Sequence, residues 1–167
     1  MRLEIENWRW AGVPFFIRAG KAMATTVTEI RVIFKRPPKI AFAGAVHPAS
    51  DHFVFRVEPH AGARFRLQAK DPNSIEPRPV SLDLDFVQET GVPPEPYERL
   101  LNDALHGHSE LFTRADLIDE TWRIVQPLLD NPPPVEPYER GSWGPESANG
   151  LVRGWPHWTE PWLPGDK

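Results

Sequence analysis

The sequence predicts an α+β domain with a large, mostly antiparallel sheet and helices packed on one face. Three observations predict it. Apolar and polar residues alternate with period two through most of the first half, β-branched and aromatic residues are frequent there, and stretches with helical periodicity follow in the second half. Because the alternating segments are joined by short connections, they are expected to pair antiparallel, with one sheet face covered.

The strands come first in the chain. RLEIE at 2–6 alternates from the second residue, and VPFFIRAG at 13–20 follows a corner at Gly12 as a more buried run. TEIRVIFK at 28–35 places Ile30, Val32 and Phe34 on one face, and the Pro37-Pro38 pair is expected to stop it. HFVFRVEP at 52–59 groups Phe53, Phe55 and Val57, ARFRLQAK at 63–70 repeats the pattern, and VSLDLDFV at 80–87 puts Leu82, Leu84 and Phe86 together. The covering layer is expected from the second half. In PYERLLNDALHG, Pro96 suits a first helical turn, Tyr97, Leu100, Leu101, Ala104 and Leu105 recur at helical spacing, and Gly107 fits a C-terminal cap. A second helix is expected to open at Thr113, with Asp116 as an acidic variant of the capping box and Leu117, Ile118, Trp122, Val125 and Leu129 as its apolar stripe. Pro127 should end or kink it.

Beyond DNPPPVEPY the periodicity is lost, and the proline-interrupted segment with Trp143, Trp155, Trp158 and Trp162 is expected to pack against other parts of the chain. The organisation expected is a domain over 1–150 and a Trp/Pro-rich tail over 151–167. Since the chain enters a strand at its second residue, Met1 is expected to mark a cut inside a longer fold.

Composition narrows the function classes. A net charge of -4 and a pI near 5.9 leave no basic footprint for nucleic acid or an anionic membrane. The chain has no cysteine, so disulfides, thiolate catalysis and cysteine-ligated metals are excluded. No run reaches the 18 or so apolar residues of a membrane helix, and the charged MRLEIENWRW start is unlike a signal peptide, so the expected address is cytoplasmic.

NWRWAGVPFFIRAGKAM, VTEIRVIFK, FRVEPHAG, PYERLLNDALHGHSELFTRADLIDETWRIVQPLL and YERGSWGP occur in this order, and together they resemble the C-terminal domain of glucose-6-phosphate dehydrogenase from about residue 2 to about residue 147. The resemblance implies a part in oxidising glucose 6-phosphate to 6-phosphogluconolactone with NADP or NAD. It also implies that the Rossmann domain and the catalytic histidine lie upstream of the matched block. The chain has no G-x-G-x-x-G fingerprint after a strand, so no catalytic or cofactor-binding residue is assigned, and NADP is expected in the intact enzyme but not on this chain alone. Because the family dimerises through this sheet, a homo-oligomer is expected. A complete dehydrogenase subunit or a separate N-terminal half is a further partner, and an assembly module or a weak sugar-phosphate binder is the alternative role.

Lys21 is the one substrate-binding residue assigned. A compact ammonium at a strand end can reach phosphate oxygens, and by resemblance the lysine of this block contacts the sugar phosphate; the plain alternative is a solvated lysine after a strand. Where the family commonly has a second basic residue, five positions on, Thr26 stands; it offers a hydroxyl hydrogen bond without charge. Some relatives hold a structural NADP, but the run with Val27 is poor in basic residues and none is assigned here. The histidines His47, His52, His60, His106 and His108 lack the spacing of a zinc site. Asp83 and Asp85 are expected on a solvated strand face, and Trp8 and Trp10, flanking Arg9, are expected to pack or wedge the first turn.

Overall fold

The structure, a computed structural model, describes residues 1–36, 49–73, 77–91 and 94–165; the Pro37-Pro38 stop and His47 lie outside the described residues. The chain divides into two compact units, Met1–Gly91 with Tyr138–Lys167, and Val92–Pro137.

The first unit carries two antiparallel sheets. Strands β1 (Arg2–Glu4) and β2 (Pro14–Phe16) pair with Leu3 opposite Phe15. The corner between them is shaped by Asn7, whose Oδ1 accepts from the N–H groups of Arg9 and Trp10, and by Gly12 at φ 75°, in the left-handed region that favours glycine. Strands β3 (Thr28–Ile33), β4 (His52–Glu58), β5 (Gly62–Lys70) and β6 (Pro77–Asp85) form a meander in that order. Helix α1 (Phe86–Thr90) follows β6 directly, where the sequence suggested that the strand continued to residue 87. Asp85 makes the change, because its carboxylate accepts the N–H of Val87 and caps the helical turn.

Register sorts the side chains onto two unlike faces. Ile30 and Val32 stand opposite Phe55 and Phe53, Phe53 opposite Phe65, and Phe65 and Ala63 opposite Leu82 and Leu84. On this aromatic face the Phe53 and Phe65 ring centroids are 4.5 Å apart, and Phe55 meets Phe86 at 5.8 Å. The face keeps much apolar surface open, Leu82 being 61% and Ile30 58% exposed. The other face carries Glu29, Arg31, Val54, Arg56, Arg64 and Asp83.

That charged face is where the core sits. The segment after the short 3-10 helix Glu146–Val152 crosses it and closes it. Trp162, 7% exposed, lies over two guanidinium groups, with Arg56 Cζ 4.0 Å and Arg64 Cζ 4.6 Å from its ring centroid. Arg56 is 1% exposed, and a charge so deep would be costly without partners; its Nε donates to the His60 carbonyl at 2.6 Å and its Nη1 to the Trp162 carbonyl at 3.3 Å. Arg64 forms a two-bond fork with the Asp83 carboxylate at 2.7 and 2.6 Å. Arg31 donates to Thr159 Oγ1 and, at 3.0 Å, to the Glu160 carbonyl, while Glu29 accepts the Trp162 N–H at 3.0 Å. Gly62 lies beneath the indole, and a Cβ there would fall 2.8 Å from the Leu84 carbonyl oxygen and 3.2 Å from the Trp162 ring. The expectation that the C-terminal tryptophans pack is met. Asp83 is exposed, as expected, and in addition its carboxylate holds Arg64.

In the second unit, α2 (Pro96–His106) starts on Pro96 and stops at Gly107, whose φ of 72° lets its N–H reach the Ala104 carbonyl while the His108 N–H reaches that of Asp103. Helix α3 (Ala115–Asp130) has Arg114, not Thr113, at its N-cap, whose side chain makes no capping bond; the Asp116 carboxylate accepts the Leu117 N–H at 3.1 Å. Arg114 instead forks onto Asp116. Pro127 does not end α3, which runs through it for three more residues, although the proline removes one backbone donor from the helix. No residue of α2 or α3 is buried.

Candidate functional site

The candidate site is the loop that leaves β2 and carries Lys21. Its root is Arg18, whose Cζ lies 4.6 Å from the Trp143 ring centroid and 4.7 Å from that of Trp158. Burial between the two indoles lowers the Arg18 pKa, and the Glu160 and Glu29 carboxylates oppose the shift. Glu160 also accepts the Trp143 indole N–H at 2.9 and 3.0 Å, so cation, ring and carboxylate form one cluster. Phe16 of β2 touches Trp155 and Trp158, at 6.4 and 6.3 Å between centroids.

From that root the loop passes Gly20 and reaches Lys21, which is exposed. Among the described residues no hydrogen bond or ion pair holds its ammonium group, which is free to meet an anion. Its backbone, by contrast, is held: Tyr138 Oη donates to the Lys21 carbonyl at 2.6 Å, the Gly141 N–H to the Ala22 carbonyl at 2.8 Å, and the Ala24 N–H to the Ser142 carbonyl at 3.1 Å. Ala22 has φ of 52°, a left-handed conformation that an alanine holds only where its surroundings impose it. Thr26 is exposed, two residues before β3, and brings no charge to the loop.

Other candidates separate in the structure. His106 and His108 have ring centroids 6.0 Å apart, and His108 faces the Asp103 carboxylate at 3.8 Å, but among the described residues no three potential ligands converge on a metal position. His52 is half-buried on β4, and its pKa is lowered by burial and by Arg31. Trp10 packs edge-on against Phe15 at 5.3 Å, as expected, but Trp8 is 89% exposed, with Arg9 Cζ 5.5 Å from its ring centroid. The packing role expected for Trp8 is therefore corrected: with the Asn7 turn fixing the corner by backbone bonds, the indole is left outside. An open hollow lined in part by Glu4 and Glu6 lies at this corner, and its carboxylates make it unsuited to a phosphate. Sequence reasoning missed Arg18, Tyr138, Trp143 and Trp158 as supports of the loop; the YERGSWGP block was the one visible signal.

Among the described residues no Rossmann-type dinucleotide site is formed. The described strands are all antiparallel, so no βαβ crossover offers a phosphate to a helix N-terminus, and the β6-to-α1 passage carries Asp85 where a glycine-rich turn would stand.

An antiparallel meander sealed by an aromatic C-terminal segment, with a braced loop leaving its neighbouring strand pair, defines a domain of the α+β class. Residues 1–159 match the family described as glucose-6-phosphate dehydrogenase, C-terminal domain, and the chain belongs to that family. It is 49% identical over 165 residues to glucose-6-phosphate 1-dehydrogenase 1 of Mycobacterium tuberculosis, covering 98% of this chain and 35% of that protein. With the enzyme of Aggregatibacter actinomycetemcomitans the identity is 38% over 157 residues, covering 91% and 31%. The crystal structure of glucose-6-phosphate 1-dehydrogenase from Mycobacterium avium superposes with a TM-score of 0.85 at 47% identity, over 98% of this chain and 35% of that one. A glucose-6-phosphate dehydrogenase in complex with its substrate glucose-6-phosphate superposes with 0.76 at 30% identity, over 95% and 34%. The chain thus spans about a third of the length of these relatives. No helix among the described residues is long and apolar enough to cross a membrane.

Proposed function

We propose that this chain serves as the substrate-contacting and dimerising C-terminal domain of a glucose-6-phosphate dehydrogenase, with Lys21 binding the phosphate of glucose 6-phosphate. The observation that carries the reading is the contrast at Lys21, an exposed ammonium unpaired among the described residues on a loop whose backbone is held by three hydrogen bonds. A fixed backbone with a free charge meets a ligand with less ordering cost than a loose lysine would. The hydride acceptor is NADP, held by the Rossmann half of the enzyme, and the chain by itself reduces none. The compartment is the cytoplasm.

Two measurements test this. Titration calorimetry with glucose 6-phosphate should give heat with the 167-residue chain and none with Lys21→Ala; equal heats remove the role of Lys21. An NADP reduction assay on the same chain should stay at background, and turnover would show that the chemistry resides here.

A second reading has its own observation. The open aromatic face, with Ile30, Val32, Phe65, Leu82 and Leu84 exposed, suits an assembly module that pairs through the sheet with a second copy or with a complete dehydrogenase subunit. Size-exclusion chromatography of the chain, alone and mixed with such a subunit, distinguishes this from a lone monomer.

A further inference from the structure

We propose that Tyr138 is a positioning residue that sets the direction in which Lys21 points, an inference that rests on the reading of Lys21 as the phosphate contact. The two residues are 117 positions apart, and the phenol hydroxyl donates to the lysine's own carbonyl at 2.6 Å. Gly141 and Ser142 bond the backbone at Ala22 and Ala24, so Tyr138 belongs to a three-point brace that spans the loop. The brace is itself rigid: the Ser142 N–H and Oγ both donate to the Glu139 carbonyl, at 3.1 and 2.7 Å, and Gly141 and Gly144 turn the chain at φ of 81° and 101°.

The phenol also sits close against the loop. A Cβ on Gly20 would lie 3.1 Å from both Tyr138 Oη and Met23 Sδ, tighter than ordinary contact, so the glycine before the lysine makes room for this hydroxyl and for the Met23 side chain. Ala22, at φ of 52°, is the residue after the lysine and the non-glycine residue with positive φ among those described. A left-handed alanine reverts to the ordinary regions when its constraint is removed, and that rotation would swing the neighbouring Lys21 Cα–Cβ bond. The hydroxyl of Tyr138 therefore acts on the ammonium through the backbone, without touching the ligand.

The test compares the 167-residue chain with Tyr138→Phe, which keeps the ring and removes the hydroxyl, and with Gly20→Ala, which crowds the hydroxyl from the other side. Amide hydrogen exchange should quicken about tenfold or more at Ala24 and Gly141 in both variants, while amides of the β4–β5 ladder keep their protection and report an intact fold. Titration with glucose 6-phosphate should show about 3- to 10-fold weaker binding, the span expected for one hydrogen bond, in variants that retain Lys21. Unchanged exchange together with unchanged affinity overturns the positioning role while leaving the Lys21 reading intact. If the wild-type chain takes up no glucose 6-phosphate, the Lys21 reading falls and the positioning role falls with it. If exchange quickens and affinity does not move, Tyr138 is a structural brace only and the proposal is overturned.

Discussion

Replacing Trp162 by alanine should be among the most damaging single changes in this chain. The indole is 7% exposed and stacks on both Arg56 and Arg64. An indole hides about 200 Å² of surface, which at ~25 cal/mol per Å² amounts to about 5 kcal/mol as an upper bound. Core Trp→Ala changes cost about 3–5 kcal/mol, and the desolvated cation-π contacts belong within that figure. The backbone bonds of Trp162 to Glu29 and Arg56 survive the change, which favours the lower half of the range. For a domain of this size, ~3 kcal/mol corresponds to a fall in melting temperature on the order of 10 °C. The control is Trp8→Ala, which removes an equally large ring that is 89% exposed and should alter stability by no more than about 0.5 kcal/mol. Urea titration followed by far-ultraviolet circular dichroism gives both values free of the lost tryptophan fluorescence. Equal midpoints for the two variants would refute the claim that the C-terminal segment closes the core.

Two further predictions concern the same sheet. Gly62→Ala should destabilise by about 1–3 kcal/mol, because its Cβ would meet a backbone oxygen at 2.8 Å that no side-chain rotation can relieve; a thermal melt matching wild type would contradict this. His52 has a folded-state pKa below its ordinary 6.5, first through burial, then through Arg31, with Arg66 adding to the effect and the Ser50 backbone and Asp51 opposing it. Below pH 6.5 the unfolded chain therefore binds this proton more readily than the folded one. Stability is full above pH 6.5 and falls as pH drops from there toward the folded value. Urea midpoints at pH 7.5 and 5.5 should thus differ more for wild type than for His52→Gln, and equal differences would show that His52 does not contribute.

Much of the fold was legible because period-two alternation reports which side chains share a sheet face. The pairing of Ile30 and Val32 with Phe53 and Phe55, and of Phe65 with Leu82, follows the alternation residue by residue. Pro96 and Gly107 marked the ends of α2 through backbone constraints that act locally. Alternation did not reveal which face would be covered by the C-terminal segment. Arginine beside aspartate reads as a wet surface, and only the arrival of Trp162 from a distant part of the chain turns it into a core. Local rules also failed at Thr113 and Pro127, where α3 took a later start and a later stop than its capping and proline signals suggested. At the candidate site Lys21 was visible as a residue type in a motif, but its brace was not. Tyr138, Gly141 and Ser142 reach the loop by hydrogen bonds to backbone atoms, and backbone carbonyls leave no mark in a sequence.

The crossing of the charged sheet face by the segment around Trp162 has a consequence for how the protein is made. Arg31, Arg56 and Arg64 leave the ribosome roughly 100 residues or more ahead of Trp162, an interval of about 5–25 s at ordinary elongation rates. Throughout that interval the meander exists as a nascent sheet without its closing segment, open on its aromatic face and incomplete on the other. Closure of that face therefore waits on synthesis of the Trp162 segment, and a chain cut short before that residue should be destined for chaperones and proteolysis.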